Sequence, residues 1–291
     1  MLKYHSLEDL VSAAEQADLP LSRLILNDQA EETREPAETL LARMEERLEV
    51  MSQAVRAGMD PTLRSTSGLT GGDAAKMQAY AAHGGMIGTF LCSAMAKAIA
   101  VAEYNAAMGK IVAAPTAGSC GILPAALLTL TREGGLSRDA AVLALFTAGG
   151  VGMIIAHRAS VSGARGGCQA ECGSAAAMAA AALVEMMGGS PRQACHAAAI
   201  ALKNQLGLVC DPVAGLVEIP CVKRNVAGVV TAFSAAEMAL AGIESRIPAD
   251  EVIDAMKQVG DALPCALKET AQGGLAATPT GQRLRVEIFG A

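Results

Sequence analysis

The sequence predicts an all-α fold, a compact helical domain rich in alanine and glycine. Hydrophobic residues make up 52% of the 291 residues and charged residues only 18%, a balance that excludes a disordered chain. Aromatic residues make up 2%, so the core must be built from alanine and aliphatic side chains. Alanine favours helices, and small side chains let helix axes approach closely. Alternating runs of β-branched residues, which would indicate strands, do not separate the predicted helices.

The N-terminal segment predicts amphipathic helices at the periphery of one domain that covers residues 1–291. The first helix is expected to begin after Ser6 as its N-cap, with acidic residues in the first turn, where the helix dipole favours them. A longer helical pattern ends near Gly58. Because this segment carries more charge than the rest of the chain, we expect residues 1–60 to pack outside a core formed by residues 61–291, or to offer a surface to a partner.

Three loops rich in Ser, Thr and Gly each lead into a predicted helix. They read STSGLTGGDAAKM (65–77), APTAGSCGILPA (114–125) and SVSGARGG (160–167). In the first loop, Asp73 is expected to cap the helix that follows. Helix N-termini offer free N–H groups and a partial positive charge, which suit a carboxylate. Each loop alone is also ordinary turn chemistry, but three of them indicate a shared site.

Charge and hydropathy narrow the class of protein. The net charge of −6, without a basic patch, argues against a nucleic-acid binder. Charged residues interrupt the apolar residues at the N-terminus, which is not typical of a secretory signal. The uncharged run at residues 140–156 has 17 residues and an internal glycine pair, so we interpret it as a buried core helix rather than a membrane span. These features predict a cytoplasmic protein.

Eight cysteines in such a chain are expected to be thiols or metal ligands rather than disulfides. Cys92 and Cys195 lie in apolar helical patterns, where a cysteine is usually a small buried hydrophobic residue. Cys265 has a similar pattern near a loop, and Cys120 lies in the second glycine-rich loop. Nothing in the sequence around these four supports a chemical role.

Cys168, Cys210 and Cys221 differ because each lies beside a turn. Pro212 and Pro220 are expected to keep the latter two out of regular helix, on backbone that can bend towards a common point. The chain lacks the close C-x-x-C pairs of zinc fingers and ferredoxins. Spacing alone therefore leaves both a metal site and plain packing open.

A family resemblance adds to this pattern. From about residue 45 onwards the chain resembles the alpha chains of bacterial iron–sulfur L-serine dehydratases, most clearly in GGCQAECGSAAAMAAAALVEMMGG, LKNQLGLVCDPVAGLVEIPCVKRN and ETAQGGLAATPTG. The resemblance implies a [4Fe–4S] cluster held by three cysteines in the patterns G-C-Q-x-E, L-x-C-D-P-V and P-C-x-x-R-N. These patterns fall on Cys168, Cys210 and Cys221. Cys172 lies outside them and is expected to be a spare thiol beside the cluster.

The resemblance also implies the reaction: β-elimination of water from L-serine, giving pyruvate and ammonia. An iron held by only three thiolates keeps an open coordination position and can act as a Lewis acid on the leaving hydroxyl. Loop chemistry and the family motifs together suggest six substrate-binding residues: Ser65, Thr66, Ser67, Gly68, Thr116 and Ser119. The catalytic base is not identified, and the candidates are Lys76, Lys203 and Glu171. Of the four histidines, His5 and His83 lie in polar or loop contexts, whereas His157 and His196 lie in helical patterns, where a lone histidine is more often structural than catalytic.

Alternatives remain at this point. A related lyase acting on L-cysteine or L-threonine would use the same cluster, and a non-catalytic cluster-binding redox protein would also need cysteines. A pyridoxal enzyme is disfavoured because no Schiff-base lysine is followed by a glycine-rich phosphate loop. Family members with two chains imply a beta subunit as partner, and a higher oligomer is possible. Only about sixty residues precede the family motifs and the last cysteine is Cys265, so we expect the partner to be needed.

Overall fold

The computed structural model describes residues 3–290, and in this part of the chain every regular element is a helix, which confirms the all-α prediction. The α-helices are α1 (Leu7–Ala17), α2 (Leu21–Thr33), α3 (Ala37–Gly58), α4 (Asp73–Ala81), α5 (Gly88–Ala106), α6 (Ile122–Arg132), α7 (Arg138–Arg158), α8 (Gly163–Gly166), α9 (Ser174–Met186), α10 (Pro191–Lys203), α11 (Cys221–Leu240), α12 (Ala249–Ala262) and α13 (Pro279–Phe289). A π-helical turn, Gln169–Gly173, leads into α9. One isolated β-bridge pairs Cys210 with Lys268.

The starts of two helices test the capping predictions. The predicted N-cap of α1 is confirmed, because the hydroxyl of Ser6 accepts a hydrogen bond from the N–H of Asp9. The predicted cap of α4 is wrong: Gly72 occupies the N-cap position with φ of 78°, and Asp73 is the first helical residue. Glycine suits this left-handed backbone. The free N–H groups there are instead accepted by the carboxylate of Glu103, which reaches across from α5.

The alanine-rich helix α9 lies at the centre of the protein. All its residues from 174 to 184 are buried, and it packs against α6, α7, α10 and α11. Small residues also bring other helices close together. A Cβ atom added to Gly58 at the end of α3 would lie 2.0 Å from the backbone oxygen of Ala100 in α5. The low aromatic content is therefore matched by close helix packing rather than by large core side chains.

Helix α7 contains the long uncharged run. Within residues 3–290 it is the one helix long and apolar enough to cross a bilayer, but 67% of its most apolar stretch is buried inside the protein. It packs against α2 on one side and α9 on another. This position agrees with the expectation of a core helix. The loops that carry the predicted site lie at the starts of α4, α6, α9 and α11.

Candidate active site

The three predicted ligand cysteines lie on three separate segments. Cys168 immediately precedes the π-helical turn, Cys210 lies on extended backbone at the β-bridge, and Cys221 is the first residue of α11. The expectation that Cys221 lies outside regular helix is wrong, because Pro220 is the N-cap of α11 and a proline is compatible with a helix start. Cys168 and Cys210 are buried and Cys221 is partly buried.

Arg224, one turn after Cys221, joins these segments. Its guanidinium donates to the carbonyl of Val209 at 2.7 Å and to the carboxylate of Asp211 at 2.8 Å, on either side of Cys210. The pKa of Cys168 is lowered, mainly because a thiol hydrogen bond stabilises its thiolate and in part because Arg224 lies near. A fixed positive charge therefore lies among the three thiols.

Asp211 also anchors the C-terminal segment. Its second carboxylate oxygen accepts the N–H of Leu275 at 2.8 Å. Gly274, with φ of 59°, passes so close that a Cβ atom there would lie 2.3 Å from the Asp211 carboxylate. The ETAQGGLAATPTG segment noted in the sequence is thus held against the residue that follows Cys210.

Glu171 connects the second loop to the cysteines. Its carboxylate accepts the hydroxyl of Thr116 at 2.8 Å and contacts the thiol of Cys210 at 3.8 Å. Gly163 leaves room for this contact, since a Cβ atom there would lie 2.6 Å from Glu171 Oε2 and 3.0 Å from Cys210 Sγ. Burial raises the pKa of Glu171. Ser119, also in the second loop, is fully buried and its hydroxyl is 3.2 Å from that of Thr116.

Asn225 fixes the second loop to the start of α11. Its side-chain oxygen accepts the N–H of Gly121 at 2.8 Å, and its amide donates to the carbonyls of Gly118 at 2.8 Å and Cys221 at 2.9 Å. The side chain is fully buried. One residue therefore sets the distance between the Thr116 loop and Cys221.

The first loop is held beside the same cysteine by Glu218. This buried carboxylate accepts the hydroxyl of Ser67 at 2.8 and 2.9 Å and that of Thr70 at 3.1 Å. The hydroxyl of Ser65 lies 3.3 Å from that of Ser67. Thr66 and Gly68, at the tip of the loop, are exposed. The structure thus brings all six predicted substrate-binding residues onto two loops beside the cysteines.

The three candidate bases are placed differently. Glu171 lies among the cysteines, as described. Lys76 is 78% exposed and its ammonium binds Asp73 at 2.9 Å, on the outer side of α4. Lys203 lies at the end of α10, and its side chain makes no hydrogen bond or ion pair with another residue of the described chain. Only one of the three candidates contacts a predicted ligand.

The histidines lie outside this network. His5 and His157 are 3.4 Å apart, and His196 accepts the N–H of Ser245. His83 follows the end of α4. Between residues 3 and 290 none of the four hydrogen-bonds a predicted site residue, in line with the structural roles expected for His157 and His196.

Cys172 lies directly beside Cys168. Their sulfur atoms are 3.4 Å apart, and Cys172 follows Cys168 by four residues, within the π-helical turn. The hydrogen bond to Cys168, together with burial, raises the pKa of Cys172. Burial also raises the pKa of Cys210, and raises that of Cys221 to about 12. Protons on these thiols must therefore be displaced by a bound metal before they can serve as ligands.

The donor set fits an iron–sulfur cluster. Across the described residues, no group of three or more His, Cys, Asp or Glu side chains is arranged to hold a single metal ion. A cluster places several iron and sulfide atoms between its ligands, so its thiols need not converge on one point. Three thiols on three segments, with Arg224 to offset their negative charge, match the Cys-rich ligation of such clusters.

Sequence reasoning missed the residues that position the ligands: Glu103, Asp211, Glu218, Arg224 and Asn225. Three of them lie inside the CDPVAG and PCVKRN patterns, which were used for their cysteines alone. An Asp, an Arg and an Asn next to predicted ligands could have been assigned supporting roles, because ligands usually need partners that orient them. Glu103 and Glu218 carry no comparable signal.

A cavity of about 600 Å³ lies elsewhere, between α1, α2 and α7. Leu10, Ile25 and Ile154 line its floor, and Asp28 and Glu31 lie at its rim. No cysteine of the predicted site borders it. This cavity is therefore separate from the cysteine site.

Comparison with known proteins identifies close relatives. The family model for the serine dehydratase alpha chain matches residues 16–276. A probable L-serine dehydratase alpha chain of Bacillus subtilis is 51% identical over 288 residues, covering 99% of this chain and 96% of that one. The L-serine dehydratase alpha chain of Peptoniphilus asaccharolyticus is 43% identical, covering 97% of both chains. L-serine dehydratase 1 of Escherichia coli is 46% identical over 181 residues, which cover 62% of this chain and 40% of that protein.

Proposed function

Because the chain belongs to the serine dehydratase alpha chain family, we propose that it deaminates L-serine to pyruvate and ammonia with a [4Fe–4S] cluster. The enzyme is a lyase that eliminates water across the Cα–Cβ bond of its substrate. The observation that supports the cluster most is the meeting of Cys168, Cys210 and Cys221, from three distant segments, around Glu171 and Arg224.

Cys168, Cys210 and Cys221 would hold the cluster as thiolates. When bound in this way, the cluster supplies one iron with an open coordination position, a Lewis acid for the hydroxyl that leaves. Arg224 offsets the negative charge of the thiolates, since its guanidinium lies beside Cys168 and is itself fixed by Asp211. The chain thus provides both the ligands and a counter-charge.

The two loops would bind and orient the substrate. Ser67 is committed to Glu218, so it shapes the first loop, whereas Thr66 and Gly68 at its tip are exposed, with the Thr66 hydroxyl 3.5 Å from the carbonyl of Ala106. On the second loop, Thr116 and Ser119 point their hydroxyls towards Glu171 and each other. The hydroxyls of the second loop suit a substrate carboxylate, whereas the N–H groups of Thr66 and Gly68 in the first loop already donate to Ala106 and Ser65.

Glu171 is the base that the geometry favours. Its carboxylate lies between Cys210 and Thr116, so a substrate held at this point would place its α-proton near Oε1 or Oε2. Lys76 is directed outward and bound to Asp73, and Lys203 has no contact with the site. We propose that Glu171 takes the α-proton.

A partner chain and a reducing compartment complete the proposal. The Bacillus and Peptoniphilus relatives are named alpha chains, which implies a second chain. In the Escherichia coli relative, this chain covers only 40% of the protein. We propose a beta subunit as partner. Eight free cysteines suit a cytoplasmic protein, because thiols stay reduced there.

The ligand assignment is tested by single Cys→Ser substitutions in anaerobically prepared protein. We expect C168S, C210S and C221S to lose the cluster, measured as iron and sulfide content and as visible absorption and EPR spectra. C92S and C195S are matched controls on apolar helices and should keep it. Full iron and sulfide content in C210S would contradict the assignment.

The activity is tested by pyruvate formation from L-serine, with L-threonine and L-cysteine as competing substrates. The reconstituted chain should turn over serine poorly alone and faster by orders of magnitude with the beta subunit, if that subunit completes or closes the site. E171Q should keep the cluster spectrum and lose turnover. Full activity of the isolated chain would refute the need for a partner, and full activity of E171Q would refute the base.

A further inference from the structure

The contact between Cys168 and Cys172 has no role in the proposed reaction. Both cysteines are buried, since Cys168 is 4% exposed and Cys172 is 1% exposed. Their sulfur atoms are 3.4 Å apart. Within residues 3–290 no other two cysteine thiols are hydrogen-bonded to each other. This contact therefore distinguishes Cys168 and Cys172 from the other six cysteines.

The backbone around the pair is irregular. Both cysteines belong to the π-helical turn and its N-cap, and Gly173 follows Cys172 at once. To form a disulfide the sulfur atoms must approach from 3.4 Å to about 2.05 Å, a movement of about 1.4 Å.

We propose that Cys168 and Cys172 are a redox-active pair that forms a disulfide in the iron-free chain. A peroxide is the oxidant: the thiolate of Cys168 attacks one peroxide oxygen, giving a sulfenic acid and, with one proton, water. The thiol of Cys172 then attacks the Cys168 sulfur, the S–S bond forms, and the sulfenic oxygen leaves as a second water. Two thiols and one hydrogen peroxide thus give one disulfide and two waters.

This pair has a consequence for the cluster, and this part rests on the proposed assignment of Cys168 as a ligand. A disulfide removes one of the three thiolates, so the cluster cannot be rebuilt until a dithiol reduces the bond. The same disulfide protects Cys168, because a sulfenic acid without a neighbouring thiol is oxidised further to the irreversible sulfinic acid. Cys172 is thus the resolving thiol, and the disulfide blocks cluster assembly reversibly.

The test uses the iron-free full-length chain and hydrogen peroxide. Thiol titration in denaturant should fall from eight free thiols to six, eight minus two, and peptide mapping should find one Cys168–Cys172 link. Cluster reconstitution with ferrous iron and sulfide should fail after peroxide and recover after dithiothreitol. Eight remaining thiols, or a link between other cysteines, would overturn the proposal.

Two variants sharpen the result. C172A should take up the cluster before oxidation but should not recover after peroxide and dithiothreitol, because Cys168 is over-oxidised. C120A removes another buried thiol, whose hydrogen bond is to the carbonyl of Val101, and should behave as the unsubstituted chain. Recovery of C172A equal to that of the unsubstituted chain would refute the resolving role. The mapped disulfide does not depend on cluster binding, so a chain that forms the link but never binds iron would refute the proposed function alone.

Discussion

Asn225 offers the sharpest test of how the site is built. In N225A, the N–H of Gly121 and the carbonyls of Gly118 and Cys221 lose their buried partner. Each hydrogen bond contributes about 1 kcal/mol net, so the free energy of unfolding should fall by about 3 kcal/mol. In a chain of this size that corresponds to a decrease in Tm of about 6 °C.

N225D is nearly the same shape but turns the donor into an acceptor opposite two carbonyls. Burial should raise the pKa of the new carboxyl above its unfolded value of about 3.9. The ionisation penalty is then absent below about pH 3.9, grows as the pH rises, and is complete above the raised folded pKa. N225D should therefore lose more stability relative to the unsubstituted chain at pH 7 than at pH 5.

The assay is thermal unfolding of the iron-free chain at these two pH values, with iron and sulfide content after reconstitution. N105A is the matched control, since the exposed Asn105 amide donates to Ala117 in the same loop at 3.4 Å. It should change the free energy of unfolding by less than about 0.5 kcal/mol. An N225A protein as stable as N105A would refute the view that Asn225 holds the loop to α11.

Two further predictions concern packing and buried charge, and both are checked by thermal unfolding. The side chain of Lys97 is 3% exposed and that of its ion-pair partner Glu133 is 30% exposed. E133A leaves a buried ammonium without its carboxylate and should lower the free energy of unfolding by about 3 kcal/mol. K97M leaves a carboxylate that water can reach, so it should change the free energy of unfolding little. Equal losses would contradict this asymmetry. G58A should destabilise by about 3 kcal/mol because its Cβ meets the backbone of Ala100, while G149A, with open space within 4 Å, should stabilise by about 0.5 kcal/mol. A neutral G58A would show that α3 and α5 separate easily.

The helical fold could be predicted from composition because alanine-rich, aromatic-poor segments have few other ways to form a core. The positions of the loops and of Cys168, Cys210 and Cys221 beside turns were also visible in the sequence. The family motifs then indicated the ligand set, which stays a prediction until a cluster is measured. Local chemistry was less well predicted at helix starts, where Gly72 and Cys221 took positions assigned otherwise.

The error at the start of α4 has a physical cause in tertiary contacts. A helix start is satisfied by whichever acceptor reaches its free N–H groups, and for α4 this acceptor is Glu103, about thirty residues away in sequence. Glu218 likewise binds Ser67 across a long stretch of chain. Contacts between residues so far apart in sequence depend on tertiary packing, so no local sequence pattern predicts them. The supporting roles of Asp211 and Arg224 are easier to predict from the sequence, because both residues lie in the same motifs as the predicted ligands Cys210 and Cys221.

The loops of the site are held by carboxylates that bind hydrogen-bond donors, whereas the carboxylate next to Cys210, that of Asp211, binds the cation Arg224. Glu103 accepts backbone N–H groups, Glu218 accepts hydroxyls, and Glu171 accepts a hydroxyl and contacts a thiol. Such hydrogen bonds, 2.8 to 3.3 Å long for the oxygen and nitrogen donors, lie mostly inside the protein, where salt screens them little. The loops can therefore be fixed firmly while Arg224 and its partner Asp211 keep a positive charge beside the cysteines. A cationic partner at each carboxylate would instead add charge next to the thiolates and compete with bound metal. This division of roles explains why the loop anchors are acidic and the cysteine neighbour is basic.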